Sequence, residues 1–233
     1  MLAVACLAGG IAFAFAKFAR DPRFALEHVT VSGAARTGAE QVLAAAALVR
    51  GANVWFVDAG AAEQRIAALP WIATARVARR WPNAVSIALS ERTPVAKLMT
   101  RGPDLALVDG EARVLQVGAL LPADDRLPLL WLEPALRPVR AGERLESARL
   151  DGALEASQRL AALGVRISEI SSEPASGISV TTESRLRVIL GDDDELERKV
   201  AIFLAIAQHI ARPDQVSYVD VRSTSAPTVQ YRR

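Results

Sequence analysis

The sequence predicts an α+β protein: an N-terminal transmembrane helix, a unit ordered strand–helix–helix–strand–strand, and a mostly antiparallel β domain with two helices. Three observations predict it. Residues 2–16 contain no charged or strongly polar side chain, and Lys17 is the first charge. Between Phe24 and Lys97 the apolar period changes from two to 3.6 and back to two. Beyond residue 98, short alternating runs bounded by Gly, Pro and Asp recur, interrupted twice by helical spacing. The expected divisions are residues 1–19, 24–97 and 98–233.

A helix of residues 1–19 reaches about 28 Å, close to the ~30 Å hydrocarbon core of a bilayer, and Lys17 can snorkel to the interface. A single-pass anchor is the preferred reading. A cleaved signal peptide, with Ala12-Phe13-Ala14 or Ala14-Phe15-Ala16 as a small-x-small site, and a buried core helix are the alternatives. Lys17, Arg20 and Arg23 follow the span and no basic residue precedes it, which by the positive-inside rule places the body in the cytoplasm. A basic segment upstream of Met1 would reverse that.

In the first unit, Phe24 to Ser32 alternates as a strand that Gly33 ends. Thr37 and Glu40 form a capping box for an alanine-rich helix through about Val49, with Gly51 as its stop. Asp58 caps a second helix, closed by Pro70. Trp71 to Trp81 and Val85 to Leu89 are strands joined by a turn at Pro82-Asn83. Trp71 and Trp81 are expected to pack in the core or at the sheet edge, Glu91-Arg92 to be a surface charge pair, and Arg76, Arg79 and Arg80 to form a solvated basic stripe or one facing anionic lipid.

In the second unit, Leu105–Val108 and Arg113–Val117 read as a hairpin around Asp109-Gly110. Leu120 to Arg144 reads as a long, ordered, proline-rich loop containing Asp124-Asp125. A helix over Glu146–Leu163 stops at Gly164, and strands follow at Val165–Ile170, Gly177–Thr182 and Arg185–Leu190. Asp192 with Glu195 caps a helix through about Arg212; Val216–Arg222 and Thr228–Tyr231 are the last strands.

The chain is globular, with 51% apolar and 23% charged residues, and its net charge of +2 gives no bulk attraction to nucleic acid. The only cysteine, Cys6, lies in the apolar stretch, so an extracytoplasmic body has no internal disulfide. No catalytic constellation is present: His28 and His209 are far apart, and there is no P-loop, GxSxG, HExxH or CxxC. The acidic run Asp192-Asp193-Asp194-Glu195 lacks the spacing of a calcium loop and suits a helix start. The expectation is a protein without enzymatic activity, cofactor or metal.

Val29-Thr30-Val31-Ser32-Gly33, Asn53-Val54-Trp55-Phe56-Val57-Asp58, Leu69-Pro70-Trp71-Ile72, Ala75-Arg76-Val77, Arg80-Trp81-Pro82-Asn83 and Glu91-Arg92-Thr93-Pro94-Val95-Ala96 together resemble a POTRA domain, and more narrowly the bacterial cell-division family FtsQ/DivIB. Leu107-Val108-Asp109, Val188-Ile189-Leu190-Gly191, the helix with Lys199, and Tyr218-Val219-Asp220-Val221-Arg222 extend the likeness through the second unit. The resemblance implies a non-enzymatic scaffold of the inner membrane at the division septum, its body extracytoplasmic. It would join early and late divisome proteins and bind the small single-pass proteins FtsB and FtsL through its last strands. It implies recruitment of other divisome components through the POTRA unit. A POTRA-bearing transport or outer-membrane assembly factor is the alternative; such factors usually repeat the unit before a β-barrel, and no barrel-like series of strands follows here.

A chain closing on a strand often leaves that strand at a sheet edge, and Pro227 suits an edge because proline cannot donate to a ladder. Such an edge can accept a partner's strand by β-augmentation. The expected partner surface comprises Tyr218, Arg222, Ser223, Pro227, Val229 and Tyr231. Carried over by position, Tyr231 stands where the family often has a large aromatic, and Ser223 where some members have another.

Overall fold

The computed structural model describes Gly10, Ala14, Phe15 and residues 17–232. Most of the expected anchor, residues 1–19, lies outside the described residues, among which no helix is long and apolar enough to cross a membrane. The chain divides into two units, Met1–Arg92 and Thr93–Arg233.

The first unit holds strand β1 (His28–Ser32), helices α1 (Ala39–Ala46) and α2 (Ala59–Ala67), and strands β2 (Ile72–Arg80) and β3 (Ala84–Glu91). The sheet order is β1-β3-β2, with β1 parallel and β2 antiparallel to β3. Val85 and Ile87 from β3, and Ile72 and Val77 from β2, bury against Val42 and Ala46 of α1 and Ala62 and Ile66 of α2. The alternation legible in β3 is therefore a helix-facing face and a solvent-facing one.

Three local expectations are corrected here. Phe24 belongs to a 3-10 turn at Pro22–Phe24, Ala25 makes an isolated bridge to Asn53, and the ladder to β3 starts only at His28. Helix α1 stops at Ala46, because Ala47 adopts the left-handed conformation (φ 51°), three residues before Val49. The Thr37–Glu40 capping box does not form. Gly38 is the N-cap, with no side-chain cap bond, and the N–H groups of Arg36 and Thr37 donate to the Glu91 carboxylate at 2.9 and 2.7 Å. Glu91 is thus a tertiary cap on the entry to α1. Burial raises its pKa most strongly, but the N–H donors of Thr37 and Arg36 outweigh that, and the net shift is downward. Arg92 donates through Nε to the Ile72 carbonyl. The expected basic stripe is partly structural: the Arg79 guanidinium donates to the Val57 carbonyl (2.7 and 3.2 Å), and Arg80 to the Ser86 hydroxyl.

Nine strands of the second unit form one sheet: β4 (Pro94–Leu98), β5 (Ala106–Asp109), β6 (Val114–Val117), β7 (Leu129–Leu132), β8 (Ile167–Glu173), β9 (Gly177–Thr182), β10 (Arg187–Gly191), β11 (Val216–Asp220) and β12 (Thr228–Tyr231). Their order is β12-β11-β10-β9-β8-β7-β4-β5-β6. Helices α3 (Ala148–Ala162) and α4 (Leu196–Ala207) pack against it through Leu150, Leu154 and Leu160, and through Leu196, Val200 and Phe203. Five pairings are antiparallel, but β4–β7, β7–β8 and β10–β11 are parallel. Each helix is the crossover of one parallel pair: β7-α3-β8 and β10-α4-β11. Parallel neighbours need such a connection, because no tight turn can return the chain to the same end of the sheet.

The expected loop at Leu120–Arg144 contains strand β7, in the middle of the sheet, and a 3-10 turn at Pro122–Arg126 that Asp124 organises by accepting from the Leu121 N–H at 2.9 Å. Trp131 on β7 donates its indole N–H to Glu169 on β8 at 2.6 Å. Residues 94–97, expected within the first unit, belong to strand β4, which pairs with β5 and β7. Helix α4 ends at Ala207, short of Arg212.

A candidate partner-binding edge

Strand β12 is one of the two outermost strands of the nine-stranded sheet, with β6 at the other end. It pairs antiparallel with β11 in the register Val216↔Tyr231, Tyr218↔Gln230, Val219↔Val229 and Asp220↔Thr228, and has no neighbour on its other side among the described residues. The outer backbone groups of an edge strand lack ladder partners, so they can pair with another chain.

The side chains on one face of this edge meet helix α4. Val200 and Phe203 of α4 bury into the core, and a second apolar row, Ile202, Ile206 and Ile210, is only half buried. That row, with Ala205 and His209, joins Val229 and Tyr231 to line an apolar groove of ≈ 440 Å³. Val229 and Tyr231 are two residues apart on one strand and therefore share a face. Tyr231 is 58% exposed, a large aromatic without a full complement of packing. Ile202 and Ile206, four residues apart, make the apolar face of α4 wider than one seam requires, and Ile210, just past the helix end, continues the row; the spacing is visible in the sequence.

The structure divides the six expected surface residues. Val229 and Tyr231 lie at the groove. Tyr218 sits on β11 opposite Gln230. Arg222, Ser223 and Pro227 fall in the connection between β11 and β12, next to the Asp220–Thr228 end of the ladder, whereas Tyr231 is at the other end. Arg222 is held by a two-pronged contact with Asp220, Nη2 to Oδ2 at 2.7 Å and Nε to both oxygens at 3.0 and 3.1 Å. That guanidinium lowers the Asp220 pKa. The Ser223 hydroxyl faces that of Ser225 at 3.1 Å, and the Thr224 hydroxyl donates to Glu195 at 3.1 Å, which ties the connection to the start of α4.

The acidic run before α4 does not cap it as expected. Glu195 occupies the N-cap in a left-handed conformation (φ 50°) and makes no side-chain cap bond. Asp192 instead accepts from Lys199, whose side chain is 3% exposed and whose ammonium also donates to the Asp192 carbonyl at 3.1 Å. Lys199 holds the Asp192 pKa below its ordinary value. No group of three or more His, Cys, Asp or Glu among the described residues could hold a metal ion. His209 is exposed, with Nδ1 2.8 Å from the Ala205 carbonyl, and His28 is exposed beside Glu27.

Two family models match the chain: the FtsQ-type POTRA domain at residues 24–92, and the C-terminal domain of the cell division protein FtsQ/DivIB at residues 98–222. The chain is 30% identical over 232 residues to the cell division protein FtsQ of Chloroflexus aurantiacus, covering 97% of this chain and 82% of that one. It is 35% identical over 180 residues to the FtsQ of Myxococcus fulvus, covering 75% and 61%, and 32% identical over 181 residues to that of Neisseria meningitidis serogroup B, covering 77% and 70%. The alignments thus span between 61% and 82% of these relatives' length. The POTRA match, the C-terminal match and the near full-length similarity cover both units, and the chain belongs to the FtsQ/DivIB family of cell division proteins.

Proposed function

We propose that this protein is a non-enzymatic scaffold of the division septum, tethered to the cell inner membrane by residues 1–19 with its body outside the cytoplasm. It captures a segment of a single-pass partner of the FtsB or FtsL kind as an added strand on β12. The observation that carries this reading is the free edge of β12 lying beside the apolar groove of α4. Backbone pairing supplies affinity, and the groove selects apolar side chains at alternate positions of the incoming strand. Tyr231 and Val229 contribute most of the side-chain energy. Arg222, Ser223 and Pro227 shape the Thr228 end of the added ladder, Arg222 from a position already fixed by Asp220, and Tyr218 backs Gln230 from β11. The POTRA unit recruits further divisome components, and no nucleic acid takes part.

The test is calorimetric titration of the full chain with the periplasmic segment of its FtsB-like partner. Tyr231→Asp places a charge at the groove and is expected to weaken binding by about 2 kcal/mol, roughly thirtyfold. Its exposure predicts an unchanged circular-dichroism melt. Unchanged affinity would remove β12 as the docking edge. A fluorescent fusion should give a band at mid-cell; uniform envelope signal would count against the septal role.

A further inference from the structure

Half of the chain's Phe, Trp and Tyr residues gather in the first unit: Phe18, Phe24, Trp55 and Trp81 linked by ring contacts, and Phe15 against Phe56, the neighbour of Trp55 in the chain. Trp55 and Trp81 lie 4.0 Å apart between ring centroids, tilted by 42°, Phe24 meets both edge-on at 6.3 and 6.4 Å, and Phe18 packs on Phe24 and Trp55 at 5.3 and 5.6 Å. This is not the unit's core, which lies between the helices and the sheet. Phe15, Trp55, Phe56 and Trp81 remain between 46% and 59% exposed. So large an open aromatic surface marks a contact with something apolar.

The cluster is held rigidly at the place where the chain enters the unit. The Asn53 side chain is almost fully buried and works in both directions. Its Oδ1 accepts from the Trp55 N–H at 2.9 Å and shapes the turn carrying Trp55 and Phe56. Its Nδ2 donates to the carbonyls of Phe18 and Ala19 at 3.0 and 3.3 Å. The end of the apolar N-terminal stretch is thereby fastened to the aromatic turn. Lys17, Arg20 and Arg23 are exposed on the same short segment, and the Arg23 side chain is 84% exposed.

We infer that this aromatic surface is a membrane collar, seated in the headgroup region of an anionic bilayer around the point where the chain leaves it. Three features select lipid as the occupant. Phe15, which packs on Phe56, belongs in sequence to the uncharged stretch of residues 2–16. Indole rings, with an apolar body and one N–H, partition to the water–hydrocarbon boundary. Lys17, Arg20 and Arg23 match the negative charge of lipid phosphates at that depth. The collar deepens the proposed anchoring by fixing the orientation of the first unit, which a tether alone leaves free.

The test uses the full chain in vesicles of phosphatidylcholine and phosphatidylglycerol whose acyl chains carry bromine near the headgroup end. One variant, Trp71→Phe with Trp131→Phe, leaves Trp55 and Trp81 as emitters. A second, Trp55→Phe with Trp81→Phe and Trp131→Phe, leaves Trp71. Trp71 and Trp81 bracket strand β2, about 30 Å apart, so Trp71 is a control within the same unit. The collar sits about 5–10 Å into the interface, so the Trp55–Trp81 pair should lose about half of its emission and Trp71 little. Equal quenching of the two variants overturns the inference. In the unaltered chain, whose four tryptophans include this pair, loss of roughly a quarter of the total emission supports it and no loss refutes it, independently of the replacements. Flotation after alkaline carbonate reads the anchor separately. A chain that floats with an unquenched pair keeps its anchor and loses the collar; one stripped by carbonate whose pair had been quenched keeps the collar and loses the anchor.

Discussion

Removing the Glu91 carboxylate exposes how the first unit's helix layer is fastened to its sheet. Glu91 ends strand β3 and accepts from the N–H groups of Arg36 and Thr37, more than fifty residues earlier. Hydrogen bonds to a charged acceptor contribute about 1.5–3 kcal/mol each, and a partly solvated carboxylate sits at the low end. Glu91→Ala should therefore cost about 2–3 kcal/mol, and Glu91→Gln, which keeps an acceptor and loses the charge, about 1 kcal/mol. The pH dependence has a definite sign. The folded pKa lies below the ordinary 4.5, so the stabilisation is complete above that value and is lost as pH falls through the folded pKa. Hydrogen exchange read by mass spectrometry on peptides spanning residues 35–46 is the assay. At pH 7 both variants should exchange faster than the wild type, and the gap between Glu91→Gln and wild type should close below pH 4.5. Unaltered exchange in Glu91→Ala at pH 7, or a gap that persists undiminished in acid, would refute the tertiary cap.

Gly33→Ala should destabilise the first unit by about 3 kcal/mol or more: the residue has φ +85°, and an added Cβ would lie 2.1 Å from the Leu89 carbonyl oxygen of the paired strand, so exchange of the β1 amides should rise sharply. Lys199→Ala should cost the second unit about 2–3 kcal/mol in urea unfolding followed by Trp131 fluorescence, through loss of the buried stem as well as the bonds to Asp192. Lys199→Met, which keeps the stem, should cost about 1 kcal/mol, since the Asp192 side chain is 68% exposed and can hydrate; equal costs would mean that the ion pair outweighs the packing.

The strand–helix–helix–strand–strand order was legible because each element of the first unit has one buried face and one wet one, and this writes a period into the chain. Val85, Ile87 and Leu89 carry the strand signal, and Asp58 caps α2 through a bond to the Ala61 N–H that is local in sequence. Strand β7 carries no such signal: Leu129-Leu130-Trp131-Leu132 lies in mid-sheet, is apolar throughout and sits among prolines. The two expected capping boxes failed for the same kind of reason. A side chain from elsewhere, Glu91 in one case and Lys199 in the other, took the groups that local chemistry had reserved. At the candidate edge, Tyr231 and Val229 were readable as the outer strand, whereas Ile202, Ile206 and Ile210 gained meaning only when α4 came to lie beside β12.

Local periodicity is enough to assign strands and helices wherever one side of a segment meets water, and short motifs are enough to assign the family. Only the folded chain reveals the parallel pairings across α3 and α4, the place of α4 beside β12, and the gathering of Phe24, Trp55 and Trp81 into one surface. Periodicity records the environment of a single segment, while pairing and clustering depend on which distant segments the folded chain brings into contact.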